Sequence, residues 1–203
     1  MINLLHNSLA IHLLNRIRDV SVQNGEVRRL LKEVTKVLLS EIFKSIRLEE
    51  KELETWIGKR NFPFIDEDNF VFICVLRAGL PMLESALEVM DRAKAGFIGA
   101  KRNEQTLETD IYYVRLPNLR NKEIIILDPM LATGGTLVKV YEIVRKENPK
   151  SIKSVHLIAS PEGLKRFEGL DFEVNVVSVD EKLNKKGFII PGLGDIGDRL
   201  FGQ

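Results

Sequence analysis

The stretch Glu123 to Thr136, EIIILDPMLATGGT, decides how the rest of the chain is read. Ile124-Ile125-Ile126-Leu127 has the length and β-branched content of a fully buried strand, and Asp128 falls where that strand leaves its sheet. Thr133-Gly134-Gly135-Thr136 then opens a helix, because Leu137, Val140, Tyr141 and Val144 follow at helical spacing. The two glycines therefore sit where free backbone N–H groups and the helix dipole converge on an anion. Glycine lets the backbone approach a phosphate closely, and the two threonines add hydroxyl donors. No GxxxxGK followed by Ser or Thr occurs anywhere, which excludes the P-loop of nucleoside triphosphatases.

Outward from this stretch the pattern alternates. Strands are predicted at 70–76, 95–100, 110–116, 123–127, 153–159 and 173–179, and helices at 80–92, 135–147 and 161–168. This order makes an α/β fold, a mostly parallel sheet flanked by helices on both faces. Residues 103–116 read as two extended pieces around a polar turn, a β-hairpin arm rather than a crossover. Two amphipathic helices precede the core, near 8–20 and 26–46, the second with one apolar stripe from Val27 through Leu30, Leu31, Val34 and Leu38 to Ile42. Residues 49–69, charged and broken at Pro63 and Asp66, read as a loop-rich crossing. The expectation is a single domain over 1–203, with an N-terminal helical arm to 48, a core over 70–180 and a C-terminal hood over 181–203.

Composition narrows the partners. Thirty basic residues face 29 acidic ones, so bulk charge offers no reason to expect nucleic acid or an anionic membrane. The N-terminal MINLLHNSLAIHLLN lacks a basic n-region and a small-residue cleavage site, and no 18-residue apolar run occurs, so a cytoplasmic protein is expected. The single cysteine, Cys74, lies inside the apolar run FVFICV and reads as a small buried hydrophobe rather than a nucleophile. His6, His12 and His156 lack metal-ligand spacing, and His156 sits mid-strand.

Arg77 emerges directly from the strand FVFICVL, where a guanidinium is costly unless it meets an anion. Both Arg77 and Asp128 fall beyond strand C-termini, where open parallel sheets bind ligands. The C-terminal Gly192-x-Gly194-x-x-Gly197 formally matches a dinucleotide fingerprint, but that motif needs a following helix, a further strand and an acid about 20 residues on, and only Asp198 to Gln203 follow. A glycine-rich loop whose own N–H and C=O groups read a small planar ring is the better account.

DPMLATGG resembles the phosphoribosyl pyrophosphate (PRPP) loop of the phosphoribosyltransferases, in the form seen in the uracil-specific branch. Leu76-Arg77-Ala78-Gly79-Leu80 and the run Gly187 to Arg199, GFIIPGLGDIGDR, support the same match in order and spacing. The resemblance implies an enzyme of pyrimidine salvage that converts uracil and PRPP to UMP and pyrophosphate with Mg2+. It implies that Asp128 accepts hydrogen bonds from the ribose hydroxyls, directly or through Mg2+. Thr133, Gly134, Gly135 and Thr136 would hold the 5′-phosphate, with Pro129, Met130, Leu131 and Ala132 shaping the loop. Arg77 and Arg102 become PRPP ligands, and Ile189, Gly194, Asp195 and Ile196 surround the base. Asp195 also faces PRPP and is the candidate to help a proton leave the pyrimidine nitrogen, although backbone contacts alone would suffice. Asp198 and Arg199 read as a structural ion pair. A homodimer or homotetramer and, in some relatives, a GTP effector follow from the same resemblance.

The chain departs from the pattern at several points. Asp128-Pro129 provides one acid where many phosphoribosyltransferases carry two. His6-Asn7 stands where His-Pro is usual, Thr136 replaces Ser, Phe188 replaces Tyr, and Ile196 replaces a small Ala. The last two changes leave open a different base preference, and a PRPP-binding sensor of nucleic acid is the rival from another class.

Overall fold

In chain order the elements are β1 (Ile2–Leu4), α1 (Ser8–Arg18), α2 (Asn24–Phe43), β2 (Glu49–Thr55), β3 (Gly58–Phe64), β4 (Phe70–Leu76), α3 (Leu80–Val89), β5 (Lys94–Arg102) and β6 (Thr109–Arg115). They continue with β7 (Glu123–Leu127), β8 (Met130–Leu131), α4 (Gly135–Arg145), β9 (Ser151–Ala159), α5 (Pro161–Lys165), β10 (Glu173–Val179), β11 (Lys182–Leu183), β12 (Ile189–Ile190) and α6 (Ile196–Phe201). The computed structural model describes residues 1–102 and 108–202, and the Arg102 side chain lies outside the described set.

The central sheet runs β1-β10-β9-β7-β4-β5-β6, with β8 also pairing to β9. Every pair is parallel except β5 with β6. Successive side chains of a strand point to opposite faces, and both faces here are covered, which is why β4 and β7 from Ile124 onward are apolar. Phe70, Phe72, Cys74, Ile125 and Leu127 join a core with α1, α2, α3 and the C-terminal hood. Val71, Ile73, Val75, Ile124 and Ile126 join a second core with α4, α5 and Phe167. The apolar stripe of α2 is fully buried in the first core, where truncating one such leucine to alanine costs about 2–5 kcal/mol.

Three differences from the sequence reading have physical causes. Residues 49–69 are not a loop-rich crossing: β2 and β3 form an antiparallel hairpin, in register from Glu49↔Phe64 to Thr55↔Gly58. Both faces of this hairpin are largely exposed, so no apolar alternation was needed to specify it. Its two-residue turn is Trp56-Ile57 rather than Asn-Gly, closed by the Thr55 hydroxyl donating to the Gly58 carbonyl at 2.6 Å. β6 supplies one extended piece of the hairpin expected over 103–116 and pairs antiparallel with β5, Arg102 opposite Thr109, while 103–107 lie outside the described residues. The three-residue β1 has no sequence pattern of its own and exists through parallel pairing with β10, Leu4 opposite Val176.

Candidate active site

The chain steps from β4 to β5 on one side of the sheet and later from β7 to β9 on the other, with β4 and β7 adjacent. A sheet that winds both ways from one point leaves a crevice at the strand C-termini. A cavity of about 800 Å³ lies there, walled by Arg77 and Ala78 after β4, Asp128, Met130 to Gly134 and Thr136 after β7, and Lys186 to Phe188 and Gly194 to Asp198 of the hood.

The two strand exits are pressed together by a glycine. A Cβ on Gly79 would lie 2.4 Å from the Leu127 carbonyl oxygen and 2.9 Å from that of Val75, so any larger residue forces the backbone to shift. The turn so formed, whose Leu76–Arg77 peptide is cis, presents Arg77 to the cavity. Arg77 Nη2 lies 3.8 Å from Asp198 Oδ1, and its guanidinium carbon is 6.0 Å from the centre of the Phe201 ring. This corrects the Asp198–Arg199 ion pair. Arg199 instead donates to the carbonyls of Leu193, at 3.2 Å, and Asp19, at 2.8 Å, and also to that of Ile17.

The loop after β7 runs through Gly134 into the N-terminus of α4, the end of a helix that favours an anion. Gly134 caps the helix in the left-handed region at φ +77, and a Cβ there would come 2.9 Å from Arg166 Cδ and 3.0 Å from the Gly163 carbonyl oxygen. The loop is also tied from below. The buried Ser160 hydroxyl donates to the Ala132 carbonyl at 2.7 Å while accepting from the Gly163 N–H at 2.9 Å. Gly163 passes so close that a Cβ would lie 2.2 Å from the Ala132 carbonyl oxygen. Sequence reasoning missed Ser160 and Gly163. Their signal was the Ser-Pro-Glu-Gly run, a capped helix start with a glycine where an ordinary helix former would serve.

Asp128 stands at the floor of the cavity. Burial pushes its carboxyl up to about 7, against a hydrogen bond from the Met130 backbone that lowers it. The residue keeps contact with the cavity on one side while protein surrounds the other. Beneath it, His156 is fully buried, its Nδ1 2.7 Å from the Asp128 carbonyl and its Nε2 2.9 Å from Ser154 Oγ. Cys74 is also fully buried, and burial, with the neighbouring Asp128 charge, pushes its thiol up to about 12, the state of an inert core residue.

The hood places Gly194, Asp195 and Ile196 on the cavity wall, but Ile189 faces the core behind it, 3% exposed, and Phe188 takes the place on the wall. Ile189 packs into the first core with Leu193 and Leu200, while Phe188, just before β12, is left on the cavity side. One Asp195 carboxylate oxygen accepts the Asp198 N–H at 3.1 Å, capping α6. Pro129 is buried and, like Gly135, does not line the cavity; Arg102 lies outside the described side chains. Behind the hood, burial raises the Asp180 carboxyl, but hydrogen bonds from Arg18 and the Gly192 N–H outweigh it and hold the group below its ordinary value.

Mg2+ takes oxygen ligands and usually combines one or two carboxylates with substrate phosphates. Among the described residues no group of three or more His, Cys, Asp or Glu forms a cage for a metal ion. Asp128 on the cavity floor and Asp195 on its wall are acidic oxygens of the right kind for an ion carried in on a diphosphate. No described helix is long and apolar enough to cross a membrane.

A doubly wound sheet with a glycine-threonine anion cradle and a C-terminal hood defines the phosphoribosyltransferase class. A hypoxanthine-guanine phosphoribosyltransferase of Bacillus anthracis shares the fold, with a TM-score of 0.53 at 19% identity over 77% of this chain and 80% of that one. The particular family is narrower. The uracil phosphoribosyltransferase family model matches residues 4–203. A uracil phosphoribosyltransferase of Aquifex aeolicus is 53% identical over 99% of this chain and 98% of its own length, and one of Ligilactobacillus salivarius is 41% identical over 98% and 96%. A solved Aquifex aeolicus structure superposes with a TM-score of 0.97 at 52% identity, covering 99% and 98%. The chain belongs to the uracil phosphoribosyltransferase family.

Proposed function

We propose that this protein transfers the phosphoribosyl group of PRPP to uracil, giving UMP and pyrophosphate in pyrimidine salvage. The observation that carries the reading is the convergence of three elements on one cavity: the α4 cradle, Arg77 and the Gly194–Ile196 wall. The reaction forms a bond from the uracil N1 to C1′ as the bond from C1′ to the diphosphate oxygen breaks. The N1 proton is released and the electron pair leaves with pyrophosphate.

Each residue then has a task. The backbone N–H groups and hydroxyls of Thr133 to Thr136 hold the 5′-phosphate, where the helix dipole favours an anion. Arg77 and Arg102 offset the charge that builds on the departing diphosphate. The Asp128 carboxylate binds the ribose hydroxyls and orients C1′ toward the base. Main-chain groups of Gly194 to Ile196 present the donors and acceptors that match uracil, Ile189 backs that wall from the core, and Phe188 and Ile196 restrict ring size. Asp195 has one carboxylate oxygen not engaged in capping, placed to take the N1 proton. Asp128 would be the protein carboxylate for a Mg2+ ion arriving with the diphosphate, which when bound would offset the charge of the leaving group.

The chain works as one phosphoribosyltransferase domain, with the N-terminal arm, PRPP-binding core and hood acting together, in the cytoplasm and as a homodimer or homotetramer. GTP is proposed as an effector. The test is UMP formation from PRPP, Mg2+ and uracil beside parallel reactions with cytosine, hypoxanthine and adenine. Uracil-selective product that disappears with EDTA supports the reading. Faster turnover of another base moves the assignment to Phe188 and Ile196 as altered selectors, and PRPP binding without turnover of any base favours a sensor.

A further inference from the structure

The hood is gripped from behind by an ion pair drawn from opposite ends of the chain. Arg18, the last residue of α1, and Asp180, just past β10, are 162 positions apart, yet Nη1 meets Oδ2 at 2.8 Å and Nη2 meets Oδ1 at 2.6 Å. Both then hold the same residue, Gly192. Its N–H donates to Asp180 Oδ2 at 2.9 Å, and its carbonyl accepts from Arg18 Nη1 at 2.9 Å. One fork-to-fork pair thus satisfies both the backbone donor and the backbone acceptor of a single loop residue.

The location gives this grip its consequence. Gly192 at φ +67 and Gly194 at φ +72 both occupy the left-handed region, and glycine has the most freedom to leave any one conformation. Gly194 to Ile196 line the cavity two residues beyond the gripped peptide. Recognition of a flat ring by main-chain groups depends on placement within about 0.5 Å, so a loop free to shift would lose it. The Asp180 side chain is 3% exposed and that of Arg18 is 22%, so the pair is not a solvated surface contact. The neighbouring Leu193 carbonyl is held separately by Arg199 at 3.2 Å.

We propose that Arg18 and Asp180 are positioning residues for base recognition, setting the hood backbone at the distance the ring requires while touching neither substrate. This rests on the hood being the base-binding wall. The consequence is a division between substrates: loosening the grip weakens binding of the base and leaves PRPP, held by the α4 cradle, unaffected.

The test uses Asp180→Asn, Asp180→Ala and Arg18→Lys in the full chain, with steady-state kinetics and amide hydrogen exchange. Arg18→Lys keeps the charge but loses the planar fork, so it should fail to rescue. The expected result is a uracil KM raised about ten- to a hundredfold, the scale of lost charged hydrogen bonds. PRPP KM should stay within about twofold of wild type, with faster exchange at 192–196 and unchanged exchange in β4 and β7. A uracil KM within about twofold of wild type, or equal rises in both KM values, overturns the proposal. If Asp180→Ala does not fold, the two volume-preserving variants decide. A wild-type protein that forms no UMP defeats the base assignment instead, and exchange at 192–196 in the variants then decides the grip alone: faster supports it, unchanged overturns it.

Discussion

His156 Nδ1 lies 2.7 Å from the backbone carbonyl oxygen of Asp128, and this contact determines the state of the imidazole. A carbonyl oxygen only accepts, so Nδ1 carries the hydrogen. Burial lowers the His156 pKa to about 4, against the raising effect of the Asp128 carbonyl, so the ring is neutral and Nε2 accepts from the Ser154 hydroxyl. The histidine is a satisfied core residue that also fastens the peptide bearing the site carboxylate.

The first prediction concerns stability against pH. His156 falls from 6.5 to about 4 on folding, so its contribution is fully present above 6.5 and is lost as pH drops toward 4. The stability advantage of wild type over His156→Gln should therefore shrink across that window. Urea midpoints at closely spaced pH values would show it, and a constant difference would contradict the neutral assignment.

Asp128 has the opposite sign. Its carboxyl rises from 3.8 to about 7 on folding, so its contribution is present below 3.8 and is lost as pH rises through 7. Without ligands, Asp128→Asn should gain on wild type with rising pH and level off above 7. Hydroxyl donors and a cation favour the carboxylate, so PRPP binding with Mg2+ should release a proton and weaken below pH 7. Calorimetry in two buffers of different ionisation enthalpy measures that proton. Asp128→Asn should also cut kcat/KM about ten- to a hundredfold, the worth of lost charged hydrogen bonds.

Glycine replacements separate the scaffold of the cradle from ordinary helix. Gly163→Ala places a Cβ 2.2 Å from the Ala132 carbonyl oxygen, and Gly79→Ala places one 2.4 Å from that of Leu127. Each should cost about 1–3 kcal/mol through forced backbone shifts and weaken PRPP binding. Gly25→Ala, near the start of α2 with only the tip of Arg28 at 3.8 Å, should be neutral or slightly stabilising. Thermal melts with and without PRPP distinguish the two groups.

Cys74 should not react with a thiol reagent in the folded protein at neutral pH. Its thiol is fully buried and raised to about 12, so modification should track unfolding in urea. Rapid labelling under native conditions would mean that the β4 environment opens far more readily than its packing implies.

The path from β4 to β10 was legible in the chain because doubly buried strands are continuous apolar runs and helices repeat every three to four residues. Those patterns are local, and so was the Thr-Gly-Gly-Thr cradle, whose chemistry needs only a strand and a helix on either side. The β2–β3 hairpin was not legible, because an arm exposed on both faces needs no apolar alternation. Ile189 was assigned to the cavity side, yet core packing turned it inward and left Phe188 on the wall. The partners of Asp128 and the hood were equally hidden, since His156, Ser160, Gly163, Arg18 and Asp180 bear on the site through contacts that span 12 to 174 residues of sequence. Periodicity and motif chemistry therefore settled the class of fold and the strand–glycine–helix turn after β7. Which side chains complete the site was decided only in the folded chain, where hydrogen bonds and close packing depend on distance in space and leave no periodic trace along the sequence.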